Sequence, residues 1–233
     1  MKKMEKEPNS TQRWGNAMLP SQSAQHLAKR EALMEQAALA FKERGFYATS
    51  MEDIATALGV TKGALYRYIK NKQEILFECF LSSSRIADAA LMLAVDHDGD
   101  GLSKLGVFII HFVENYLEHN TAGGAMVDID ALFPEQRKEV IAGRDRVDRE
   151  LRKLLALGIE DGSIVTHDAK LAELTLMGSI NWIPSWYSAR GTWKPREIAE
   201  TIAEIFTRGL KTESAGPRTA AAHKKPNSSK KAG

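Results

Sequence analysis

Between Ile54 and Lys72 the sequence carries four basic residues and no acidic one, with Tyr66 and Tyr68 set among them. Lys62, Arg67, Lys70 and Lys72 supply positive charge, and the phenols supply hydrogen-bond donors. Cations interleaved with hydroxyl groups suit phosphate oxygens, and side chains such as those of Thr61, Lys62, Tyr66 and Arg67 are long or polar enough to reach base edges. Gly63 adds a point where bare backbone can lie close to a partner. The chemistry implied is recognition of double-stranded nucleic acid. The plainer alternative is a solvated hairpin of two helices that binds none.

Other chemistry finds less support. Residues 96–101 read DHDGDG, the first half of a calcium-binding loop, but Val107 stands where that loop needs a bidentate glutamate. His111 and His119 lie eight apart without cysteines or paired acids beside them, so a metal site is not expected. Gly99 and Gly101 lack the Lys-Ser/Thr that completes a phosphate loop, and no G-x-S-x-G is present. Cys79 is the only cysteine, which excludes an internal disulfide and suits a reducing cytosol; its apolar helical surroundings imply a buried, inert thiol. The expectation is a protein that is no enzyme and needs no cofactor or metal. No apolar leader opens the sequence, and its longest uncharged stretch, 174–189, has 16 residues, short of the roughly 20 a bilayer requires. A cytoplasmic location without membrane contact is therefore expected.

Charge is distributed unevenly. The net charge is +2, but residues 26–72 carry +3, residues 73–210 carry −8 and residues 211–233 carry +5. An acidic body repels DNA, so a DNA contact belongs near the N-terminal end.

The elements that must hold the basic cluster can be read from spacing. Residues 1–24 are polar and are expected to be a flexible arm, with Lys2, Lys3, Lys6 and Arg13 available for nonspecific contacts. From about Gln25, the residues Leu27, Met34, Ala37, Ala38 and Phe41 share one helical face; Gly45 ends that helix and Phe46 folds back on it. Ser50 and Asp53 form a capping box for a second helix with Met51, Ile54, Ala55 and Leu58 on its apolar face. Gly59 makes a tight turn, Thr61 caps a third helix, and Leu65 and Ile69 point inward. Asn71 caps a fourth helix reaching about Val95. Beyond a loop at 97–101, helices are expected over 102–119, from Pro134 to before Gly162, from Asp168 toward Tyr187 with Pro184 bending or ending it, and from Pro195 to about Gly209, with a break at 121–124. No strand or repeat is evident, and residues 211–233 read as a disordered basic tail. The fold class is all-α, about nine helices: a three-helix helix-turn-helix domain over 25–71 and a helical ligand-binding and dimerisation domain over 72–210.

The stretch EALMEQAALAFKERGFYATSMEDIATALGVTKGALYRYIKNKQEIL, residues 31–76, resembles the DNA-binding domain of the TetR family of transcriptional regulators. It shares F-x-x-x-G-[FY], T-S, D-I-A, G-V-x-K-G-x-L-Y-x-Y and K-x-E-[IL]-L without a gap, and departs at Ile69, where the family usually has Phe. The resemblance implies that Thr49 and Ser50 contact the DNA backbone, that Thr61, Lys62, Gly63 and Tyr66 face the major groove, that Tyr68 and Lys72 reach phosphates, and that Arg67 is placed to read bases. It further implies a homodimer on a palindromic operator, built by the last two long helices; Leu171, Leu174, Ile180 and Ile183 on the first and Ile198, Ile202, Ile205 and Phe206 on the second offer apolar surface for it, the alternative being that they form only core within the chain. The implied effector site lies between the middle helices, with Phe108, Phe112, Tyr116, Met126, Leu154, Met177 and Trp182 as candidate contacts. The run SINWIPSWYSARG, residues 179–191, resembles a segment of members that respond to acyl-CoA thioesters. The function implied is a repressor released by a small apolar effector such as an acyl-CoA; a drug-like hydrophobic effector, or an architectural or activating DNA-binding protein without an effector, are the alternatives.

Overall fold

The computed structural model describes residues 22–119, 129–166 and 168–212, with side chains from Lys29 onward except those of residues 31, 35 and 42. The described residues form eight α-helices: α1 (Gln22–Arg44), α2 (Met51–Ala57), α3 (Lys62–Tyr66), α4 (Lys72–Asp96), α5 (Gly101–Glu118), α6 (Pro134–Glu160), α7 (Ala169–Trp182) and α8 (Pro195–Leu210). Two short 3₁₀ turns, Ile129–Ala131 and Ile183–Ser185, accompany them. The expected all-α class holds. The break at 121–124, the candidate Met126, most of the arm and nearly all of the basic tail lie outside the described residues.

The caps read from the sequence set the boundaries of the first helices. Gly45 adopts φ +83°, a left-handed conformation that ends α1, and Phe46 packs edge-on against Phe41 with ring centroids 5.0 Å apart. Ser50 accepts from the Asp53 backbone N–H, while the Asp53 carboxylate accepts from the Ser50 N–H, the reciprocal arrangement of a capping box. Thr61 caps α3 through the Ala64 N–H, and Asn71 caps α4 through the Glu74 N–H.

Three expectations are corrected. Helix α1 starts at Gln22, ahead of the first apolar repeat. Gly101 opens α5, capped by Asp100, and is no part of the preceding loop. Helix α7 stops at Trp182, short of Tyr187, and Pro184 lies in the 3₁₀ turn that follows, so of the two alternatives it ends the helix and does not bend it. Ile164 and Lys211 also form an isolated antiparallel bridge, supported by the Val165 N–H donating to the Leu210 carbonyl at 2.7 Å. No periodic signal announces so short a pairing.

Two apolar cores are stacked along α4. The first gathers Phe41, Phe46, Ile54, Leu65 and Ile69 with Ile75, Leu76 and Phe80 from the start of α4, and it also takes in Leu132 and Val140. The second gathers Ala87, Leu91 and Ala94 from the rest of α4 with Phe108, Phe112, Tyr116, Leu151, Leu154, Ile180 and Ile198. Ile69 is fully buried. An isoleucine therefore fills that core position where the family usually has Phe. Each fully buried aliphatic side chain contributes about 1.5–3 kcal/mol, so α4 is fixed to both cores at once.

Candidate nucleic-acid interface and cavity

Helices α2 and α3 are joined by residues 58–61, with Gly59 at φ +62°. Ile54 and Leu65 are buried, which turns the opposite face of α3 outward. Thr61, Lys62, Gly63, Tyr66 and Arg67 all lie on that exposed face. Tyr66 is 45% exposed. Gly63 has an ordinary helical backbone, and a Cβ added there would meet nothing within 4 Å. The fold itself thus makes no demand for glycine at 63. Lys62 donates to the Glu52 carboxylate at 2.7 Å, and this bond raises its pKa.

The remaining candidates sit differently. Thr49 is buried, and its hydroxyl donates to the Gly45 carbonyl at 2.8 Å. Ser50 is exposed, its hydroxyl donating to Asp53. The Lys72 ammonium donates to the carbonyls of Phe46, Thr49 and Tyr47 at 2.9, 3.2 and 3.4 Å and lies 4.5 Å from the centroid of the Phe46 ring. Thr49 and Lys72 therefore brace the α1–α2 loop. Tyr68 is half-buried, with Lys29 over its ring at 5.7 Å.

Behind this head lies a cavity of about 430 Å³ between α4, α5, α6 and α7. Of the candidate effector contacts, Phe112, Tyr116 and Met177 line it. Phe108 and Leu154 do not; both are buried in the body core. Trp182 is 63% exposed on the outer surface. The exposed face of α7 and α8 carries Leu171, Leu174 and Ile205, whereas Ile180, Ile183 and Ile198 are buried within the chain.

Sequence reasoning missed the polar part of the cavity: Ser83, Ser84, Arg144, Asp148, Glu173 and Asn181. Arg144 lies over the Phe80 ring at 5.0 Å, and partial burial lowers its pKa. Burial raises Tyr116 as well. Glu173 is 1% exposed, and burial raises its pKa, with the nearby Asp148 carboxylate adding to the effect and Arg152 opposing it. The signal was present: Glu173 stands at helical spacing from Leu176 and Ile180, an acid inside an apolar stripe. Cys79 is buried and pushed up to about 12 by desolvation, which leaves it a thiol. Among the described residues no three His, Cys, Asp or Glu side chains cluster as metal ligands, and no helix is long and apolar enough to cross a membrane.

A helix-turn-helix head on a helical body with a half-open cavity is the architecture of a DNA-binding regulator of transcription. The tetR family of bacterial regulatory proteins matches residues 33–79, and the tetracyclin repressor-like C-terminal domain matches residues 98–210. The chain belongs to the TetR family of transcriptional regulators, which are not enzymes. It is similar to the HTH-type transcriptional regulator AcrR of Shigella flexneri, with 36% identity over 190 residues that cover 76% of this chain and 88% of AcrR. The crystal structure of the TetR family regulator PfmR from Thermus thermophilus superimposes with a TM-score of 0.68 at 32% identity, covering 77% of this chain and 99% of PfmR. AibR, solved in complex with isovaleryl coenzyme A and operator DNA, shares the fold with a TM-score of 0.64 at 22% identity, covering 76% of this chain and 97% of AibR.

Proposed function

We propose that this regulator is a cytoplasmic homodimeric repressor that leaves a palindromic operator when a small, predominantly apolar effector enters the cavity between α4, α5, α6 and α7. The observation that carries the reading is the position of α4. Its first turns belong to the head core, and its Lys72 holds the α1–α2 loop. Two turns on, Phe80, Ser83, Ser84 and Ala87 of the same helix line the cavity. The cavity also lies on the seam between the cores, since Phe80 and Val140 belong to one and Phe112, Tyr116 and Val147 to the other. A ligand wedged into that seam shifts α4 and with it the head. Two heads on a dimer must sit about 34–36 Å apart to enter successive major grooves, so a small tilt weakens both contacts together. The groove-facing set is Thr61, Lys62, Gly63, Tyr66 and Arg67, with Ser50 and Tyr68 at the phosphates. Thr49 and Lys72 act through the loop they hold. Leu171, Leu174 and Ile205 supply the apolar surface for the partner subunit.

An acyl-CoA thioester is the effector class proposed, supported by the resemblance of residues 179–191 and by AibR, whose similar fold holds both isovaleryl coenzyme A and operator DNA. The test is a footprint on the promoter of the protein's own gene, followed by titration with acyl-CoA thioesters from isovaleryl to palmitoyl. Protection of a palindrome that is lost on adding one of them is the expected result. Protection that persists with every thioester removes the acyl-CoA assignment, and no protected palindrome at moderate salt removes the operator reading itself. Sedimentation of the free protein as a monomer at micromolar concentration contradicts the dimer.

A further inference from the structure

The cavity wall holds a buried acid that the fold pairs only loosely. Neither carboxylate oxygen of Glu173 has a well-formed hydrogen bond to a nitrogen or hydroxyl donor among the described residues, although the side chain is 1% exposed; its one hydrogen-bonding neighbour is another acid, Asp148. Its nearest cation, Arg152, stands off at 3.7 Å and is itself one-third exposed. Asp148, one turn before Arg152 on α6, lines the same wall, so two carboxyl groups converge there beside the apolar surface of Phe112, Val147 and Met177. Leaving a buried carboxylate without donors is costly, and the cost is retained only where something offsets it. Arg144 lines the cavity too, over the Phe80 ring, and its charge reaches Asp148 but is not among those acting on Glu173.

We propose that Glu173 and Asp148 form the polar anchor of the effector site, and that the ligand is an apolar molecule carrying a hydrogen-bond-donating group, an amine or a hydroxyl, at the end that meets them. This assignment rests on the reading of the cavity as an effector site given above; it replaces the acyl-CoA class there with a donor-ended ligand, because a saturated acyl end offers the two carboxyl groups no donor. A donor supplies the hydrogen bonds that the two acids lack, whereas a carboxylate-ended ligand adds a further acceptor and a further negative charge beside them in a desolvated wall, with Arg144 as the cation of the lining. The apolar remainder of the ligand lies on Phe112, Val147 and Met177. The raised pKa values of both Glu173 and Asp148 fit a desolvated pair that a donor would relieve.

The experiment is calorimetric titration of the full chain with three probes of one skeleton: n-decylamine, 1-decanol and sodium decanoate. The amine and the alcohol are expected to bind at least tenfold more tightly than decanoate, and amine against alcohol decides which donor the site prefers. Glu173→Leu is expected to abolish this order while raising the melting temperature by about 2–4 °C, because an unsatisfied buried carboxylate is removed. Asp148→Asn, which keeps size and polarity, is expected to reduce the preference for the amine. Equal binding of decanoate, no binding of any probe, or an unchanged order in a folded Glu173→Leu variant overturns the assignment. Parallel anisotropy measurements on operator DNA separate the two readings. A probe that binds at Glu173 without releasing DNA contradicts the effector function and leaves the anchor standing. Release of DNA by probes irrespective of their end group does the reverse.

Discussion

Lys62 and Glu52 face each other across the turn of the helix-turn-helix, the lysine ammonium 2.7 Å from a carboxylate oxygen contributed by α2. Both side chains are at least half exposed, so the pair adds little to stability. Its consequence is electrostatic: a lysine proposed to enter the major groove is partly neutralised in free protein by an exposed acid beside the same proposed surface. Glu52→Gln should therefore tighten operator binding by about two- to fivefold, the range that an exposed pair commands, and steepen the salt dependence. Anisotropy titrations at several salt concentrations check this; weaker binding would mean that Glu52 positions Lys62 for its contact.

Gly63 provides a cleaner separation of fold from function. Alanine at 63 meets no neighbouring atom in the protein and suits a helix better than glycine by about 0.5–1 kcal/mol. Gly63→Ala is thus expected to melt at the same temperature or slightly higher, yet to lose operator affinity because the added methyl group occupies space taken by DNA. Unchanged affinity in a footprint would take Gly63 off the reading surface.

Lys72 and Tyr66 should behave in opposite ways. The Lys72 ammonium donates to three loop carbonyls, and a hydrogen bond to a charged group is worth about 1.5–3 kcal/mol. Lys72→Met should cost about 2 kcal/mol in urea denaturation. Tyr66→Ala, at an exposed position, should stay within about 0.5 kcal/mol of the parent while operator binding falls about tenfold or more. If Lys72→Met is as stable as the parent, the lysine is a phosphate contact and not a brace.

Glu173 predicts a particular dependence on pH. Burial raises its pKa above the ordinary 4.5, and Asp148 adds to this, while Arg152 and Lys170 oppose it. The folded state then holds this proton more tightly than the unfolded state. Its contribution is most favourable at or below pH 4.5 and is lost as the pH rises through the higher folded value. Asp53, Asp100 and Asp161 have the opposite sign, because hydrogen bonds from Ser50, from Ser103, and from Ser163 and Gly101 lower them below 3.8. Their stabilisation fades only as the pH falls below that value. The difference between wild type and Glu173→Gln isolates the glutamate: the wild-type melting temperature should decline more steeply between pH 4.5 and 7. Parallel curves would mean that water reaches the carboxylate.

Gly101 and Gly158 mark a very close helix contact. A Cβ on Gly101 would lie 2.2 Å from the Gly158 backbone nitrogen, so the start of α5 could no longer touch the end of α6. Gly101→Ala should destabilise the body by about 1–3 kcal/mol. Gly106→Ala, where the nearest atom is Thr207 Cγ2 at 3.5 Å, is the control and should be tolerated.

The head of this protein was legible in its sequence because each of its devices is local. Ser50 with Asp53, Gly59, Thr61 and Asn71 fix helix ends within three or four residues of themselves, and Leu65 and Ile69 declare their face by spacing. The exposed positions of Thr61, Lys62, Gly63, Tyr66 and Arg67 follow from that register. Long-range partners were not legible. That Lys72 reaches back to Phe46 across 26 residues, or that Gly101 needs Gly158, depends on how helices cross, which no periodicity encodes. The same holds for the body. Phe108, Phe112, Tyr116 and Leu154 are alike as apolar helix residues, and only tertiary packing decides that Phe112 and Tyr116 meet the cavity while Phe108 and Leu154 fill the core. Sequence spacing turned Glu173 toward the apolar side of α7. The crossing of α6 and α7 set it beside Asp148 in a cavity wall, and so made a misplaced acid into a candidate anchor.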